Sequence, residues 1–522
     1  MRADYDAVPY ESHAFPQSAP GQLAAIAHVF GLDTPALSTA RVLEIGCSAG
    51  GNLIPFAAWH PQARVVGIDL SQVQIDQGRE RIRALGLANL QLLQGDIAAM
   101  ELSGLGQFDF IICHGVYSLV PEHVQEAILS IFDRLLAPNG VAYISYNVYP
   151  GWKAKEIVRD AMLLRGGDRT NPTEKLSYAR GMIDFLEKVA PPDSVLARAL
   201  ADDRALSANA GDYYVLHHHL ETFNSPCYFL DFGKRCEPYS LTYLADALPQ
   251  TMFAINYGAT VAEPLLKECG HSQVLVEQYL DFVVNRTFRQ SLLVHAARAP
   301  EFSYQIDRRR FGGLHFTAWL PPTGEQTRLD DSIQEYGQSG INLSTPDPGV
   351  KAAIDALTAQ WPWTLSRPEL VFAVHSRLAA AGVEPAADQA DQIDELLEAL
   401  IMRGLVGYRL EPVLPESTGN PLQLEERVRR IAEMVRADPD AYVFNRWHEG
   451  VLLAPVDRHL LPLMDGTRDR DALADELLHL LRTDVITFHR DGVRLWGEVE
   501  LREAALEYVD ATPQRLRQMK LA

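Results

Sequence analysis

A short hydrophobic run followed by a cluster of glycines constrains the fold of this 522-residue chain more than any other stretch. The segment Arg41–Asn52 reads RVLEIGCSAGGN and continues into the apolar segment LIPFAAW. Its first residues favour a strand that is buried on both faces. The glycines that follow permit a tight turn, and LIPFAAW has an apolar helical face. The stretch therefore predicts a strand, a glycine turn and a helix whose N-terminus receives a polar or anionic nucleotide.

Three kinds of site are compatible with this turn. Gly46, Ser48 and Gly51 approach the dinucleotide fingerprint G-x-G-x-x-G, but serine replaces the middle glycine. Residues 46–50 also match G-x-S-x-G, the nucleophile elbow of hydrolases. The third candidate is the S-adenosylmethionine (SAM) turn of class I methyltransferases, E/D-x-G-x-G-x-G, in which Glu44 is the acidic residue that receives the ligand's amine. The turn alone does not choose among them.

The carboxylates that follow the next two strands favour SAM. Segment 64–70 (RVVGIDL) reads as a strand ending in Asp69, where an acidic residue can bind both ribose hydroxyls. Segment 90–93 reads as a third strand, and Asp96 just beyond it can meet the adenine amino group. The hydrolase interpretation fails because its elbow follows several strands, whereas this turn ends the first strand. We therefore predict a SAM site with Glu44, Asp69 and Asp96 at three strand ends.

Two further hydrophobic segments, 108–113 and 141–146, read as strands four and five, with helical patterns between the strands. This β-α-β series predicts a mostly parallel, seven-stranded sheet of the Rossmann-like type. For its last two strands we predict 227–232 and 252–257, which flank a helix at 240–248. A long helix is predicted at 274–297, and its Arg286, Arg289 and Gln290 are interpreted as structural.

Cofactor-binding residues are predicted in the turns at the carboxyl ends of the strands. They are Glu44, Gly46, Cys47, Ser48, Gly50, Asn52, Asp69, Leu70, Asp96, Ile97, His114 and Gly115. The segment Tyr5–Pro20 is rich in aromatic and proline residues, and it either folds over the cofactor or forms an ordinary surface strap.

Aromatic residues are dense just past strands four and five, where a methyl group on SAM would project. We predict that five residues form a channel for the methyl acceptor: Tyr117, Tyr146, Asn147, Tyr149 and Trp152. Their rings would attract a cationic amine, and burial would favour its neutral form. A tyrosine hydroxyl or Asn147 would orient the amine, and no general base is evident.

Changes of character along the chain predict five regions. They are a SAM-binding core (1–152), a helical insert serving as lid or dimerisation element (153–220), the remainder of the catalytic domain (221–300), a winged-helix-like middle domain (301–412) and a C-terminal α+β domain (422–522). The middle region contains helical patterns at 350–361 and 389–403 and a short strand at 405–410. The second of these helices is acidic, which favours contact with protein over contact with DNA.

The net charge of −21, from 47 basic and 68 acidic residues, argues against a nucleic-acid partner. Five cysteines without paired spacing suggest a reducing compartment, and no apolar run is long enough for a membrane span. The N-terminus lacks the apolar core of a secretory signal, so a cytoplasmic location is expected. The three consecutive histidines His217–His219 do not share a helix face, and no metal site is expected.

Several segments carry a family resemblance over residues 5–300: PYES, NVYPGW, CYFLDF with EPYSLTYL, and QYLDFVVNRTFRQSLLVH. Together with the methyltransferase core they resemble methyltransferases that carry a regulatory domain, of which the rickettsial-type outer-membrane-protein lysine methyltransferases are the best known. The resemblance implies SAM as cofactor, a lysine acceptor on a protein, a homodimer, and additional domains around a wide substrate cavity. Two alternatives remain: a small-molecule N- or O-methyltransferase, and a SAM-sensing regulatory protein.

Overall fold

A seven-stranded sheet forms the centre of residues 41–295. The computed structural model describes residues 12–169, 171–207, 215–324, 326–338, 341–415, 417–419, 421–437 and 442–521. The strands are β1 (Arg41–Ile45), β2 (Arg64–Asp69), β3 (Leu90–Gln94), β4 (Phe108–Cys113), β5 (Leu136–Asn147), β6 (Leu241–Asp246) and β7 (Phe288–His295). Their order is β3-β2-β1-β4-β5-β7-β6, and only β7 runs antiparallel to its neighbours. The predicted Rossmann-like sheet is confirmed, and its strand order reverses between β1 and β4, where ligands of such folds bind.

Helices cover both faces of this sheet, because parallel strands are apolar on both sides. The four helices are α1 (Pro20–Val29), α2 (Leu53–Trp59), α3 (Gln72–Leu85) and α4 (Glu122–Leu135). Ser71 caps α3 by accepting a hydrogen bond from the backbone of Gln74, and Gly86 ends α3 in the left-handed conformation. The first helix, α1, begins directly after the N-terminal segment that reaches the glycine turn.

The predicted helical insert is confirmed between β5 and β6. Asn171 caps its second helix, and a small apolar core that includes Val158, Met162 and Leu176 joins the helices. The insert consists of α5 (Gly151–Gly166), α6 (Pro172–Val189) and α7 (Val195–Ser207).

The predicted strands at 227–232 and 252–257 and the predicted helix at 240–248 are wrong. Phe229, Phe232 and Cys236 are buried at helical spacing, so the aromatic segment forms a helix rather than a strand. Segment 241–246 forms β6, and because this strand is buried on both faces it shows no two-residue alternation. The elements here are α8 (Phe229–Cys236), a 3-10 turn at Ala254–Tyr257 and α9 (Ala259–Cys269).

The single helix predicted at 274–297 is also wrong. The chain forms α10 (Gln273–Val283), turns at Asn285 with φ 50°, and returns as β7. Arg289 of β7 is buried and pairs with Asp281 (Nε to Oδ2, 2.8 Å) and with Glu277 (Nη1 to Oε2, 2.9 Å), both on α10. Arg289, which the sequence pattern places on a helix, therefore lies on β7, and its ion pairs join this strand to the preceding helix α10.

The middle region places three helices against a three-stranded antiparallel sheet, whose central strand is the first of the three in sequence. The predicted helices at 350–361 and 389–403 are confirmed, whereas a third helix between them was not predicted. The elements are β8 (His315–Thr317), β9 (Gln334–Gln338), β10 (Ile341–Thr345), α11 (Pro348–Gln360), β11 (Leu365–Ser366), α12 (Arg367–Ala380), α13 (Gln389–Arg403) and β12 (Gly407–Arg409).

The C-terminal region is a second small α+β unit built from helices and short hairpins. Its elements are β13 (Ser417–Thr418), β14 (Gln423–Leu424), α14 (Glu426–Ala437), β15 (Val443–Phe444), β16 (Gly450–Val451), α15 (Pro455–Leu460), α16 (Arg470–Arg482), β17 (His489–Arg490), β18 (Val493–Arg494), α17 (Glu498–Asp510) and α18 (Thr512–Gln518). The boundaries of the five predicted regions remain predictions. Throughout the described part of the chain, no helix has both the length and the apolar composition that a membrane crossing requires.

Candidate functional site

A cavity of about 380 Å³ lies at the carboxyl ends of β1, β2 and β4, where the strand order reverses. Its volume is in the range of small-molecule sites. Eleven of the twelve predicted cofactor residues line it: Glu44, Gly46, Cys47, Ser48, Asn52, Asp69, Leu70, Asp96, Ile97, His114 and Gly115. The twelfth, Gly50, lies in the turn but does not line the cavity. It adopts φ +76°, and a Cβ there would lie 3.3 Å from Leu92 Cδ1.

Glu44 is a buried carboxylate with one oxygen that no described residue satisfies. Its side chain accepts a hydrogen bond at Oε1 from Asn52 Nδ2 (2.8 Å), whereas Oε2 has no partner. Burial, and to a lesser degree the charge of Asp69, raise the pKa of Glu44 to about 8 although the Asn52 hydrogen bond opposes the shift. A cationic amine placed here would stabilise the ionised form, so the orphaned oxygen fits the amine of SAM.

The serine that replaces the middle glycine adopts the glycine conformation. Ser48 has φ 51°, and its backbone N–H donates to Asp69 Oδ2 at 2.8 Å. Gly46 cannot be replaced in the same way, because a Cβ there would lie 2.4 Å from Val116 Cγ2. The turn therefore keeps the backbone shape of a SAM loop while Ser48 ties it to the carboxylate that ends β2.

Asp69 and Asp96 are positioned at neighbouring strand ends by backbone hydrogen bonds. Asp69 accepts from Ser48 through one oxygen and from the backbone of Ser71 (2.9 Å) through the other. Asp96 accepts from the backbone of Ala98 at 3.0 Å. Each carboxylate oxygen has a second lone pair, so this arrangement is compatible with bonds to ribose hydroxyls and to an adenine amine.

Cys47 contributes a neutral surface to the same wall. Burial raises the pKa of its thiol, with smaller contributions from the charges of Asp69 and Glu44. The thiol therefore stays protonated, and it offers a compact apolar contact rather than a nucleophile.

The end of the cavity beyond β4 is formed by His114 and two phenylalanine rings. Phe15 belongs to the predicted arm but was not singled out there, and Phe288 was missed by sequence reasoning. The Phe15 ring lies 4.1 Å from the ring of His114, centroid to centroid, and the Phe288 ring lies edge-on at 6.1 Å. His114 Nδ1 lies 2.8 Å from the hydroxyl of Tyr143, which donates to Gln290 Oε1 at 2.8 Å. Recognising β7 as an antiparallel strand would have pointed to Phe288, because the start of such a strand lies at the carboxyl edge of its parallel neighbours.

The five residues predicted to form the acceptor channel do not line this cavity. On β5, odd-numbered residues such as Tyr143 face one layer of the core, and even-numbered residues such as Tyr146 face the other. Tyr146 therefore stacks on Phe232 (3.9 Å between ring centroids) and hydrogen-bonds to Ser291, and Tyr117 packs against the same phenylalanine.

The other three residues of that set face the helical insert and the loop before α8. Asn147 Nδ2 donates to Asn224 Oδ1 at 2.8 Å. The hydroxyl of Tyr149 donates to Glu156 Oε1 at 2.5 Å, and Trp152 is buried in the first turn of α5. Proximity in sequence to a strand end thus placed these side chains near the correct edge of the sheet but not in the cavity.

The N-terminal arm packs directly on the glycine turn. Of the predicted segment Tyr5–Pro20, residues 5–11 lie outside the described part of the chain. Gly51 N–H donates to Ser12 Oγ at 2.8 Å, and Phe15 N–H donates to Asn52 Oδ1 at 2.9 Å. A Cβ on Gly51 would lie 2.4 Å from the Ser12 carbonyl oxygen, so this glycine is what lets the arm approach. The contacts support the first interpretation of the arm, as one wall of the cofactor cavity.

The sheet order, the glycine turn and the buried carboxylate together define a class I, SAM-dependent methyltransferase. Family comparison agrees in three places: "Methyltransferase domain" matches residues 42–140, "Predicted methyltransferase regulatory domain" matches 211–295, and "PKMT, C-terminal winged helix domain" matches 427–521. The winged-helix match falls on the C-terminal unit, for which only an α+β fold was predicted.

Similarity to known proteins extends over almost the whole chain. This chain is 30% identical over 512 residues to the Uncharacterized protein RP789 of Rickettsia prowazekii, and the match covers 96% of this chain and 90% of the relative. It is 35% identical over 243 residues to RP028 of the same organism, covering 46% of this chain and 97% of that one. The solved structure of PKMT2 from Rickettsia typhi in complex with AdoHcy matches with a TM-score of 0.86 and 26% identity over 98% of this chain and 99% of that one. The chain belongs to this family of SAM-dependent methyltransferases with a regulatory domain and a C-terminal winged-helix domain.

Proposed function

We propose that this methyltransferase transfers the methyl group of SAM to a lysine amine of a protein. The observation that carries the proposal is the extent of its similarity to PKMT2, a protein lysine methyltransferase, which spans 98% of the chain. The similarity thus includes the insert, the middle region and the winged-helix domain as well as the catalytic core. The net charge of −21 supports a cationic partner, since lysine-rich segments are attracted to an acidic surface.

We assign the three carboxylates to three parts of the cofactor. Glu44 receives the amine of the methionine portion, Asp69 binds the ribose hydroxyls, and Asp96 meets the adenine. The buried, unsatisfied oxygen of Glu44 and the backbone bonds that orient the two aspartates support this assignment. When bound, SAM supplies a methyl group on a sulfonium, which is open to in-line displacement by an amine.

On the acceptor side, we assign the contact with the amine to the end of the cavity formed by His114, Phe15 and Phe288. Aromatic faces attract an ammonium by about 0.5–2 kcal/mol. Burial among them then favours the neutral, nucleophilic amine. The hydrogen bond from His114 through Tyr143 to Gln290 holds the imidazole in place. Alignment and exclusion of water are the contributions that this chain makes to such a reaction.

Incubation of the purified enzyme with radiolabelled SAM and a fractionated lysate tests the proposal. We expect label in the protein fraction, and we expect acid hydrolysis to release it as methyl-lysine. Asp69→Ala is the matched control: it should abolish labelling, because each charge-assisted bond to the ribose is worth about 1.5–3 kcal/mol. Label confined to a small carboxylate, amine or phenol would reject the lysine acceptor and favour a small-molecule methyltransferase.

We also propose that the enzyme is a cytoplasmic homodimer that pairs through its helical insert. All five cysteines are unpaired, which suits a reducing compartment. The insert exposes large apolar side chains, namely Leu164 (82% exposed), Phe185 (54%) and Val195 (66%), which a second copy would cover.

A further inference from the structure

A chain of two hydrogen bonds joins the C-terminal winged-helix domain to the cofactor carboxylate. His448, in the loop between β15 and β16, places Nε2 at 2.9 Å from Asn52 Oδ1. Asn52 Nδ2 in turn donates to Glu44 Oε1 at 2.8 Å. His448 and Asn52 are both buried, and 396 residues separate them in the sequence.

The hydrogen-bonding capacity of the Asn52 amide is fully used. Its Nδ2 donates to Glu44 and also to Ser18 Oγ (3.0 Å). Its Oδ1 accepts from the Phe15 backbone and faces His448. A primary amide has two donors and two acceptor positions, so His448 must be the donor and must carry its proton on Nε2. Asn52 therefore cannot rotate without losing its bond to Glu44.

The loop presents His448 in a conformation that non-glycine residues rarely adopt, with φ 63°. Asn445 fixes the loop by accepting hydrogen bonds at Oδ1 from the backbones of Trp447 (2.9 Å) and Glu449 (3.1 Å). Burial lowers the pKa of His448 to about 3, and the charge of Arg409 acts in the same direction. The imidazole is thus a neutral donor that adds no charge beside the cofactor's amine.

We propose that His448 is a positioning residue for SAM binding: through Asn52 it fixes the orientation of the Glu44 carboxylate, so cofactor affinity depends on the docked C-terminal domain. The inference rests on the proposed role of Glu44 as the partner of the cofactor's amine. It assigns to the winged-helix domain a role in cofactor binding in addition to any role in binding the acceptor.

Other contacts hold the same domain in place independently of this bond. The Arg446 guanidinium lies 4.7 Å from the ring centroid of Trp59, at the end of α2. The ring of Tyr442 meets the ring of His13 edge-on at 4.8 Å. Removing the imidazole alone should therefore leave the domain docked, which makes the proposal testable in the full-length protein.

The test compares three variants by calorimetric titration with SAM. His448→Leu removes the donor at similar volume and should weaken SAM binding about tenfold, the factor expected for one net hydrogen bond. His448→Gln keeps an N–H donor near the position of Nε2 and should restore affinity to within about threefold of wild type. Arg446→Met removes a different contact of the same domain and leaves His448 on Asn52, so it should bind SAM like wild type.

Steady-state kinetics and proteolysis separate positioning from a general structural role. With His448→Leu we expect a raised KM for SAM, an unchanged kcat at saturating SAM, and the same limited-proteolysis pattern as wild type. Wild-type SAM affinity in His448→Leu, or equal weakening in His448→Leu and Arg446→Met, would overturn the proposal. If Glu44→Gln itself binds SAM normally, the assigned role of Glu44 fails. If Glu44→Gln binds weakly and His448→Leu binds normally, only the inference about His448 fails.

Discussion

At the scale of single residues, the ionised form of Glu44 lowers the stability of the folded chain, and the same residue is assigned a role in binding the cofactor. Burial raises its pKa from 4.5 to about 8, so in the protein without cofactor the carboxyl group holds its proton at neutral pH. Binding a cationic amine must release that proton or share it. The residue is therefore a place where function and stability depend on pH in opposite ways.

The first prediction concerns this carboxyl group in the cofactor-free protein. Because the folded pKa is raised, the stabilisation by the protonated form is fully present below about pH 4.5 and is lost as pH rises through about 8. Glu44→Gln should therefore melt at a higher temperature than wild type at pH 9, and the difference should shrink as pH falls to 5. Thermal unfolding at four or five pH values measures it.

The same variant should bind SAM at least about tenfold more weakly, since a charge-assisted bond is lost. Wild-type affinity should also rise with pH towards about 8, whereas the variant should lack this dependence. Glu263→Gln, at an exposed carboxylate on α9 remote from the cavity, serves as the control with no effect on either property. A Glu44→Gln protein that is less stable than wild type at pH 9 would contradict the assignment.

At the scale of elements, local pattern was enough for β1 to β5 but not for β6 and β7. Each of these strands contains a short apolar run; β1 and β3 are followed directly by glycine, and β2 ends in Asp69. Such short apolar runs are typical of buried parallel strands. In β7, Arg289 lies in the core only because Glu277 and Asp281 of α10 meet it there. A charged residue inside an apolar run favours the prediction of an amphipathic helix with that residue on its polar face. The local sequence does not show which residues will form ion pairs with it in the core.

The second prediction tests this ion cluster, in which the Arg289 guanidinium also lies 3.8 Å from the ring centroid of Phe229. Arg289→Met should destabilise the fold by about 3–5 kcal/mol, because it leaves buried carboxylates without their partner. Arg309→Met, which removes an exposed ion pair with Asp307, should leave the urea midpoint close to that of wild type, because water screens a surface pair. Urea unfolding followed by tryptophan fluorescence compares them, and equal midpoints would show that the buried cluster does not stabilise β7.

At the scale of the whole molecule, contacts between residues far apart in sequence limit how much of the site can be predicted. The glycine turn and the acidic trio follow from the sequence because each lies within one β-α unit. Phe15 and His448 reach the same turn from opposite ends of the chain, and no motif marks either of them. Tyr146 lies close to a strand end in sequence, but its side chain packs into the hydrophobic layer on the other face of the sheet.

The third prediction is the assembly state. Sedimentation velocity at micromolar concentration should give twice the chain mass of 58.1 kDa. Placing a charge on the insert by the double substitution Leu164→Glu and Phe185→Glu should yield monomers. Phe372→Glu, at an equally exposed ring (74%) on α12, should leave the dimer intact. A wild-type protein that sediments as a monomer would rule out the proposed dimer.

The bond between Asn52 and His448 has a consequence for biosynthesis. Ribosomes extend a chain N-terminus first at about 5–20 residues per second, so His448 emerges roughly 20 to 80 s after Asn52, 396 residues later. During that interval the glycine turn already exists, but the amide beside Glu44 lacks the last of its four partners. A nascent or prematurely ended chain would therefore hold SAM poorly. At sub-saturating SAM, full methyl-transfer activity would be reached only once the C-terminal domain has been made and has docked.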